Sequence, residues 1–401
     1  MHNITKIKLF RIVLRITYLP SLIFVYPLIF FKRKPLGTIF FFFDRYSLGG
    51  AQRVHLDILK SVESSDKSVF FTRKSPDDTF KQAFENINHT ALYFIEKYCE
   101  HFLIRVFSVH YFAFLINRHP KTKILSSNST FFYDMLPYIR KEVITMELLH
   151  NFSYGKGGME FFGLMNHSKL SLRLTIDQAT HENILRQYRQ YRVPVQYNQR
   201  VRTIEFGVDI PSALPQKTVP PLKILYAGRG GPQKRIHLIN AIAEHFIKLK
   251  EAVEFYFAGT IENELSDEVR QYAVCYGPVA DNNILERIFS EGHILLMTSA
   301  YEGFPVLIKE AMAHGCVPVV TALPGILTHL TDGENSLLIK SVLDEQKVIE
   351  EGIGNIQLLL QKKQVLEKMS RSCFEYAKNH FSKKPFYQAY AELLSPASPI
   401  P

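Results

Sequence analysis

The chain has 401 residues, 46% hydrophobic and 21% charged, an ordinary globular composition too long for one core, so two domains are expected. Its four cysteines, Cys99, Cys275, Cys316 and Cys373, form no C-x-x-C pair, and neither D-x-D nor H-E-x-x-H occurs. No disulfide framework or metal site is expected, and reduced cytosolic thiols are the simplest reading.

Charge is unevenly spread. Residues 1–200 carry 28 Lys and Arg against 15 Asp and Glu, a net +13, and residues 201–401 carry 20 against 23, a net −3. The basic half implies an anionic partner, either a membrane surface or a phospholipid-linked acceptor. Nucleic acid is least favoured, because the basic residues are scattered and no binding motif accompanies them.

Residues 1–36 open the chain with Lys6, Lys8, Arg11 and Arg15, then an apolar run from Ile16 to Phe31 broken by Pro20 and Pro27, then Lys32, Arg33 and Lys34. The run falls short of the ~20 residues that span a bilayer. It also lacks a small-residue cleavage site. A segment lying in the interface of an anionic membrane fits best, ahead of a transmembrane anchor or a helix packed on the domain.

Thr38 to Phe43 predicts a buried strand and Ala51 to about Val62 a helix, with Gly49 and Gly50 in the turn between them, where backbone can approach a phosphate. Strands then alternate with helices. The strands are expected at Ser68–Thr72, Ala91–Ile95, Lys123–Ser126, Glu142–Leu149, Leu172–Ile176 and Arg200–Phe206. Helices are expected near 76–86, 98–118 and 130–140, and from Thr180, as cap, to Tyr191. Such alternation predicts a parallel sheet with crossover helices. The 98–118 helix is rich in Phe and Tyr, read as core on one side and an acceptor- or membrane-facing surface on the other. His150 ends the strand at 142–149, before a loop containing Lys156, which meets a phosphate or is simply solvated. A lone His is more often a structural hydrogen-bonder, but this one is placed to reach a ligand.

The proline-rich stretch 211–221 is a linker. Leu222 to Ala227 begins the second domain as a strand, and the turn Gly228 to Arg235 brings Arg229 and Lys234 to the mouth of the following helix. There they could pair with a diphosphate, Arg as a fork and Lys as a point charge, although a charge pair alone is usually surface decoration. Strands follow at Val253–Gly259 and Val274–Val279, then a helix capped by Asp281. The apolar run His293 to Met297 leads into the turn Glu302-Gly303-Phe304-Pro305, a helix from Val306 to about His314, and a strand from Cys316 to Thr321. Pro305 suits the first helical position, and free amides of Val306, Leu307 and Ile308 would face an anion. Glu302 and Glu310 flank that helix start and, being acceptors only, would suit sugar or ribose hydroxyls, although two carboxylates at this spacing are more often a solvated residue and a helix-surface residue. The remainder is helical to about Leu394.

Taken together, these segments resemble the retaining glycosyltransferases of family 4, the glycogen-synthase-like group. Gly228-Arg229 through Lys234 is similar to that family's G-R-x-x-x-x-K segment, Ser299 to Val320 to its donor-site block, and Gly49-Gly50 to its G-G-x-E turn. The sequence departs from the family pattern at Gln52, Phe206, Pro324, Thr328 and Ser336.

The resemblance implies a GT-B fold, an α/β architecture of two Rossmann-like domains with parallel sheets facing across a cleft. Its division would be a membrane-associating segment (1–36), an acceptor domain (37–210), the linker (211–221), a donor domain (222–380) and a crossover helix with tail (381–401). It implies a retaining hexosyl- or related transferase that moves sugar from a nucleotide sugar to a glycan or lipid-linked acceptor hydroxyl, without cofactor or metal. By resemblance, Arg229 and Lys234 hold the diphosphate, Glu310 the ribose, Glu302 and His150 the donor sugar, and Gly49 and Gly50 present amides to phosphate. The expected place is cytoplasmic, on the inner face of the plasma membrane. A catalytically silent nucleotide-sugar binder and a nucleotide-sugar epimerase are the alternatives.

Overall fold

A computed structural model describes residues 9–18, 20, 37–47, 49–119, 121–153, 157–279 and 282–395. The chain divides into two compact units, Met1–Glu205 with Phe386–Pro401, and Phe206–Pro385.

The first unit is built on seven parallel strands: β1 (Ile39–Phe43), β2 (Lys67–Phe71), β3 (Thr90–Phe94), β4 (Lys123–Ser127), β5 (Ile144–Leu149), β6 (Leu172–Thr175) and β7 (Val201–Thr203). Their order is β3-β2-β1-β4-β5-β6-β7. Every residue of β1 is buried, as expected for a central strand covered on both faces. The side-chain period of two sends Phe40 and Phe42 to one face, where both stack on Phe70, and Phe42 continues to Phe112 of the helix Phe102–Asn117. Strand order reverses beside β1, so the loops after β1 and β4 diverge at the carboxyl edge of the sheet, where open α/β sheets hold ligands.

A helix over residues 9–18 packs on this unit through Phe10, Val13 and Leu14. Phe10 meets Phe102 edge-on at 5.2 Å, and the Leu14 carbonyl lies 3.1 Å from Nε2 of His110. Leu9, Ile12 and Ile16 stay exposed, as do Phe102, Leu103 and Phe107 of the adjoining helix. Among the described residues no helix is long and apolar enough to cross a membrane. Toward the other end of the chain, Tyr387 donates to Asp57 (2.9 Å) and Lys123 Nζ to the Leu393 carbonyl (2.8 Å), tying residues 386–395 to this unit.

The second unit contains β8 (Leu222–Ala227), β9 (Val253–Ala258), β10 (Val274–Cys275), β11 (Ile294–Met297), β12 (Val317–Thr321) and β13 (Leu337–Ile339), all parallel in the order β10-β9-β8-β11-β12-β13. Its switch point lies between β8 and β11. Helix Val306–Ala313 connects β11 to β12, and Gly315, at φ +72°, turns the chain back.

Several local expectations are corrected. The helix expected over 98–118 is two helices, Glu96–Glu100 and Phe102–Asn117, broken at the extended His101. Arg105 stabilises the break by donating to the Cys99 carbonyl, Thr130 and Asp134. The 76–86 helix contracts to Lys81–Glu85, and the strand at 200–206 to β7. Asp177, not Thr180, caps helix Gln178–Gln190, its carboxylate accepting from Thr180 N at 2.6 Å. Pro305 is the N-cap of its helix rather than the first helical residue. Asp281, read as a cap, and Lys156 lie outside the described residues, as do residues 1–8 and 21–36 of the amino-terminal segment.

Candidate functional site

In the second unit the β8 and β11 loops are stitched together. Ala300 N donates to the Gln233 carbonyl (2.8 Å) and Gln233 Nε2 to the Tyr301 carbonyl (2.9 Å). Thr298 Oγ1 donates to the carbonyls of Lys234 (3.2 Å) and Arg235 (3.1 Å). The key part is Arg235, which nothing in the sequence distinguishes from the rest of the turn. It is buried, adopts φ +51°, and donates to Thr298 O, Ser299 O and Val342 O. A planar guanidinium can reach three carbonyls at once.

These bonds set Lys234 beside Glu302. Their side chains form an ion pair and are only 15% and 12% exposed. Arg229 sits at the exposed rim, and its guanidinium makes no hydrogen bond within the described residues. Its carbonyl accepts from Tyr226 Oη at 2.8 Å, which fixes the start of the loop to the end of β8. Burial pushes the Tyr226 phenol up, so it remains a donor at neutral pH. One cation is thus engaged by a carboxylate and the other faces solvent.

Glycine is needed where loops touch. A Cβ on Gly259 would collide with the Gly228 carbonyl, and one on Gly325 would lie 2.5 Å from the Gly303 carbonyl. Gly325 therefore backs the Glu302-to-Pro305 turn directly. Behind that turn, Phe304 packs on His329 (4.6 Å) and Phe381 (5.5 Å), with the buried Lys309 ammonium 5.7 Å from the Phe304 ring. Lys309 Nζ also donates to the Phe206 carbonyl (3.0 Å). The amide of Ile308 is not free, since it donates to Pro305 O at 3.0 Å, leaving Val306 and Leu307 as the open helix-start donors. Glu310 is half-buried one turn further along that helix.

The first unit has its own cluster at its switch point. Gly49 caps helix Gly50–Ser61, its carbonyl accepting from Arg53 N. His150, half-buried at the end of β5, lies with Nε2 3.0 Å from Ser127 Oγ and 3.2 Å from His55 Nε2. His55, which no sequence motif marks, is fully buried and stacked on Phe43 at 3.9 Å with the rings parallel. Burial lowers His150 to about 4 and takes His55 well below its ordinary range, so both imidazoles are neutral at pH 7. Below them, the buried Glu147 of β5 pairs with Arg173 and accepts from Tyr133, fixing the strand that carries His150. Among the described residues no group of three or more His, Cys, Asp or Glu side chains is arranged to hold a metal ion.

Two parallel-sheet α/β units of this topology define the GT-B fold. The solved structures it resembles carry the same fold. The chain superposes on TarM at a TM-score of 0.67 with 13% identity, covering 90% of this chain and 99% of that one. Anabaena Alr3699/HepE in complex with UDP gives 0.66 and 17%, covering 89% and 99%. The lipopolysaccharide outer core galactosyltransferase WaaB gives 0.63 and 17%, covering 88% and 97%. More particularly, residues 221–353, which include the whole β8–β11 loop pair, match the family model for Glycosyl transferases group 1. An uncharacterized 41.2 kDa protein in the cps region of Klebsiella pneumoniae is 28% identical over 180 residues, 43% of this chain. The chain spans 46% of that curated relative, and 59% of a Staphylococcus aureus TarM mutant chain solved with UDP.

Proposed function

We propose that this chain is a retaining glycosyltransferase that moves a sugar from a nucleoside-diphosphate sugar to an acceptor hydroxyl. The observation that carries this is the Lys234–Glu302 pair, whose lysine shares the loop after β8 with Arg229, within the region that matches the glycosyltransferase family. A diphosphate competes for Lys234 with two charges where Glu302 offers one. Its arrival would draw the ammonium to phosphate and release Glu302 to accept hydrogen bonds from sugar hydroxyls. Arg229 adds a fork on the exposed side, and the amides of Val306 and Leu307 add the field of the helix start. Glu310 takes the ribose. His150 meets the donor sugar, and Gly49 and Gly50 offer amides to the phosphates.

The chemical step needs stabilisation of the departing diphosphate. Two cations and two amides supply it within the protein. No side chain in the set is an activated nucleophile, which favours a front-face route in which the leaving phosphate assists deprotonation of the acceptor and configuration is retained. UDP is the diphosphate we favour, because several structural neighbours were solved with UDP and one with UDP-glucose.

The acceptor is membrane-borne in this reading, and the protein works at the cytoplasmic face of the plasma membrane. The exposed Leu9, Ile12, Ile16, Phe102, Leu103 and Phe107 support this, together with the net +13 of residues 1–200. The cps-region relative and the lipopolysaccharide transferase point to cell-surface glycan precursors. The test is UDP release from UDP-sugars by the purified protein, with and without membrane extracts as acceptor. Nucleotide-sugar binding without turnover under any acceptor would contradict the transferase and leave a binding protein.

A further inference from the structure

His55 belongs to none of the motifs that shape the functional reading, yet it is fully buried at the carboxyl edge of the first sheet. It sits in the first turns of helix Gly50–Ser61, immediately behind the Gly49-Gly50 turn. Three features constrain it. Phe43 of β1 lies flat against its ring, with an interplanar angle of 1°, which fixes its plane. Its Nε2 points at Nε2 of His150. Its Nδ1 is buried with no hydrogen-bond partner among the described residues.

Those features decide where the protons are. A neutral imidazole carries one N–H and one bare nitrogen. If the His55 proton sat on Nδ1, a buried donor would be orphaned while two bare nitrogens faced each other at 3.2 Å or His150 supplied the bridging proton. Orphaned buried N–H groups are rare and costly. With the proton on Nε2, His55 donates to His150 and only a lone pair is left unused. His150 Nε2 must then be bare, an acceptor that the Ser127 hydroxyl also reaches. The His150 proton is consequently on Nδ1, the nitrogen for which no partner exists within the described residues.

We propose that His55 is a positioning residue that locks His150 in the Nδ1–H tautomer, so that His150 presents one fixed hydrogen-bond donor to its ligand. His150 in this form donates to a hydroxyl or carbonyl oxygen of a sugar and does not serve as a base through Nε2, because that lone pair is already engaged. Orientation fixed before binding costs nothing when the ligand arrives. The role of His150 toward a sugar rests on the proposed function, whereas the tautomer does not.

The experiment uses the full chain labelled with 15N-histidine, read at neutral pH by long-range 1H–15N correlation of the imidazole rings. His150 is assigned by the signal lost in His150→Gln. The expected result is a protonated Nδ1 and a bare Nε2 in the ligand-free protein. His55→Phe keeps the ring stack on Phe43 and removes the donor. It should release His150 to a mixture of tautomers and lower kcat for UDP-glucose turnover by about tenfold while KM moves less than about twofold. His55→Gln, which can return an N–H donor, should recover part of both. A protonated His150 Nε2 in the wild type overturns the proposal, and so does an unchanged tautomer in His55→Phe. Should His55→Phe fail to fold, the wild-type spectrum and His55→Leu, which also lacks a donor, decide the question in its place. The expected tautomer in a protein that turns over no nucleotide sugar would count against the transferase reading and leave the positioning role of His55 standing.

Discussion

Lys234 and Glu302 lie 68 residues apart in the chain and form a nearly buried ion pair across two loops. Neither residue can be read alone. Breaking such a pair by removing one partner leaves an uncompensated charge, which costs more than the pair itself contributes. In the proposed cycle the carboxylate holds the place of the diphosphate until the donor arrives. A double-mutant cycle with Lys234→Met and Glu302→Gln should show a favourable coupling of about 1–3 kcal/mol in thermal unfolding of the free protein. That coupling should shrink when UDP is saturating. A coupling unchanged by UDP would mean that the pair is purely structural.

Glu302 and Glu310 should separate by assay. Glu310→Gln is expected to weaken UDP binding by about tenfold, the loss of a charge-assisted hydrogen bond to a ribose hydroxyl. Glu302→Gln should leave UDP affinity unchanged or improved, since it frees Lys234, while slowing sugar transfer. Calorimetric titration with UDP and steady-state kinetics check both. Equal UDP affinity in the wild type and the Glu310 variant would remove the ribose role.

Gly325→Ala tests the backing of the Glu302-to-Pro305 turn. The added methyl collides with backbone at Gly303, which cannot swing aside as a side chain would. The cost should be about 1–3 kcal/mol of stability, with kcat for transfer reduced more than UDP binding. Full activity with an unchanged melting temperature would show that the turn adapts.

Buried histidines predict how stability follows pH. Burial lowers His110, His150 and His293 to about 4. The ordinary value is near 6.5, so between pH 6.5 and 4 the unfolded chain binds more protons than the folded one. Their contribution is therefore complete above about pH 6.5 and is lost as pH falls toward 4. His293 is the cleanest probe. Its Nδ1 accepts from Lys223 N (3.0 Å), a bond that Asn can replace without titrating. His293→Asn should flatten the fall in melting temperature over that window, each tenfold difference in proton affinity being worth about 1.4 kcal/mol. An unchanged slope would contradict it.

The exposed apolar face is tested by flotation. Ile12→Gln with Leu103→Gln should reduce co-flotation of the full chain with anionic liposomes at least about fivefold, and high salt should weaken but not abolish wild-type binding. Wild-type flotation by the double variant would place membrane contact elsewhere or nowhere on this face.

Legibility in the sequence varied with how local the signal is. Arg229, Lys234 and Glu302 could be found because each follows an apolar strand run and precedes a helix, so chain order alone brings them to one edge of a sheet. Their pairing could not be found, because it depends on Arg235, whose left-handed backbone and three carbonyl partners leave no pattern in residue types. His55 was hidden for a different reason. It falls between Val54 and Ile58 in an amphipathic helix, where a lone polar residue reads as surface, and only the sheet order carries it to His150. The break at His101 has no Gly or Pro to mark it and is held by Arg105 from the following helix. Likewise, Asp177 took the cap from Thr180 because its carboxylate reaches Thr180 N, a choice that spacing alone did not make.

The central claim is tested most directly by incubating the purified chain with a panel of UDP-sugars and a membrane extract, measuring released UDP and labelled sugar transferred to lipid-extractable product. The account predicts release and transfer with at least one donor, both reduced at least about tenfold by Arg229→Ala and by Lys234→Ala in folded protein. Undiminished transfer by both variants, or no binding of any UDP-sugar by the wild type, would contradict it.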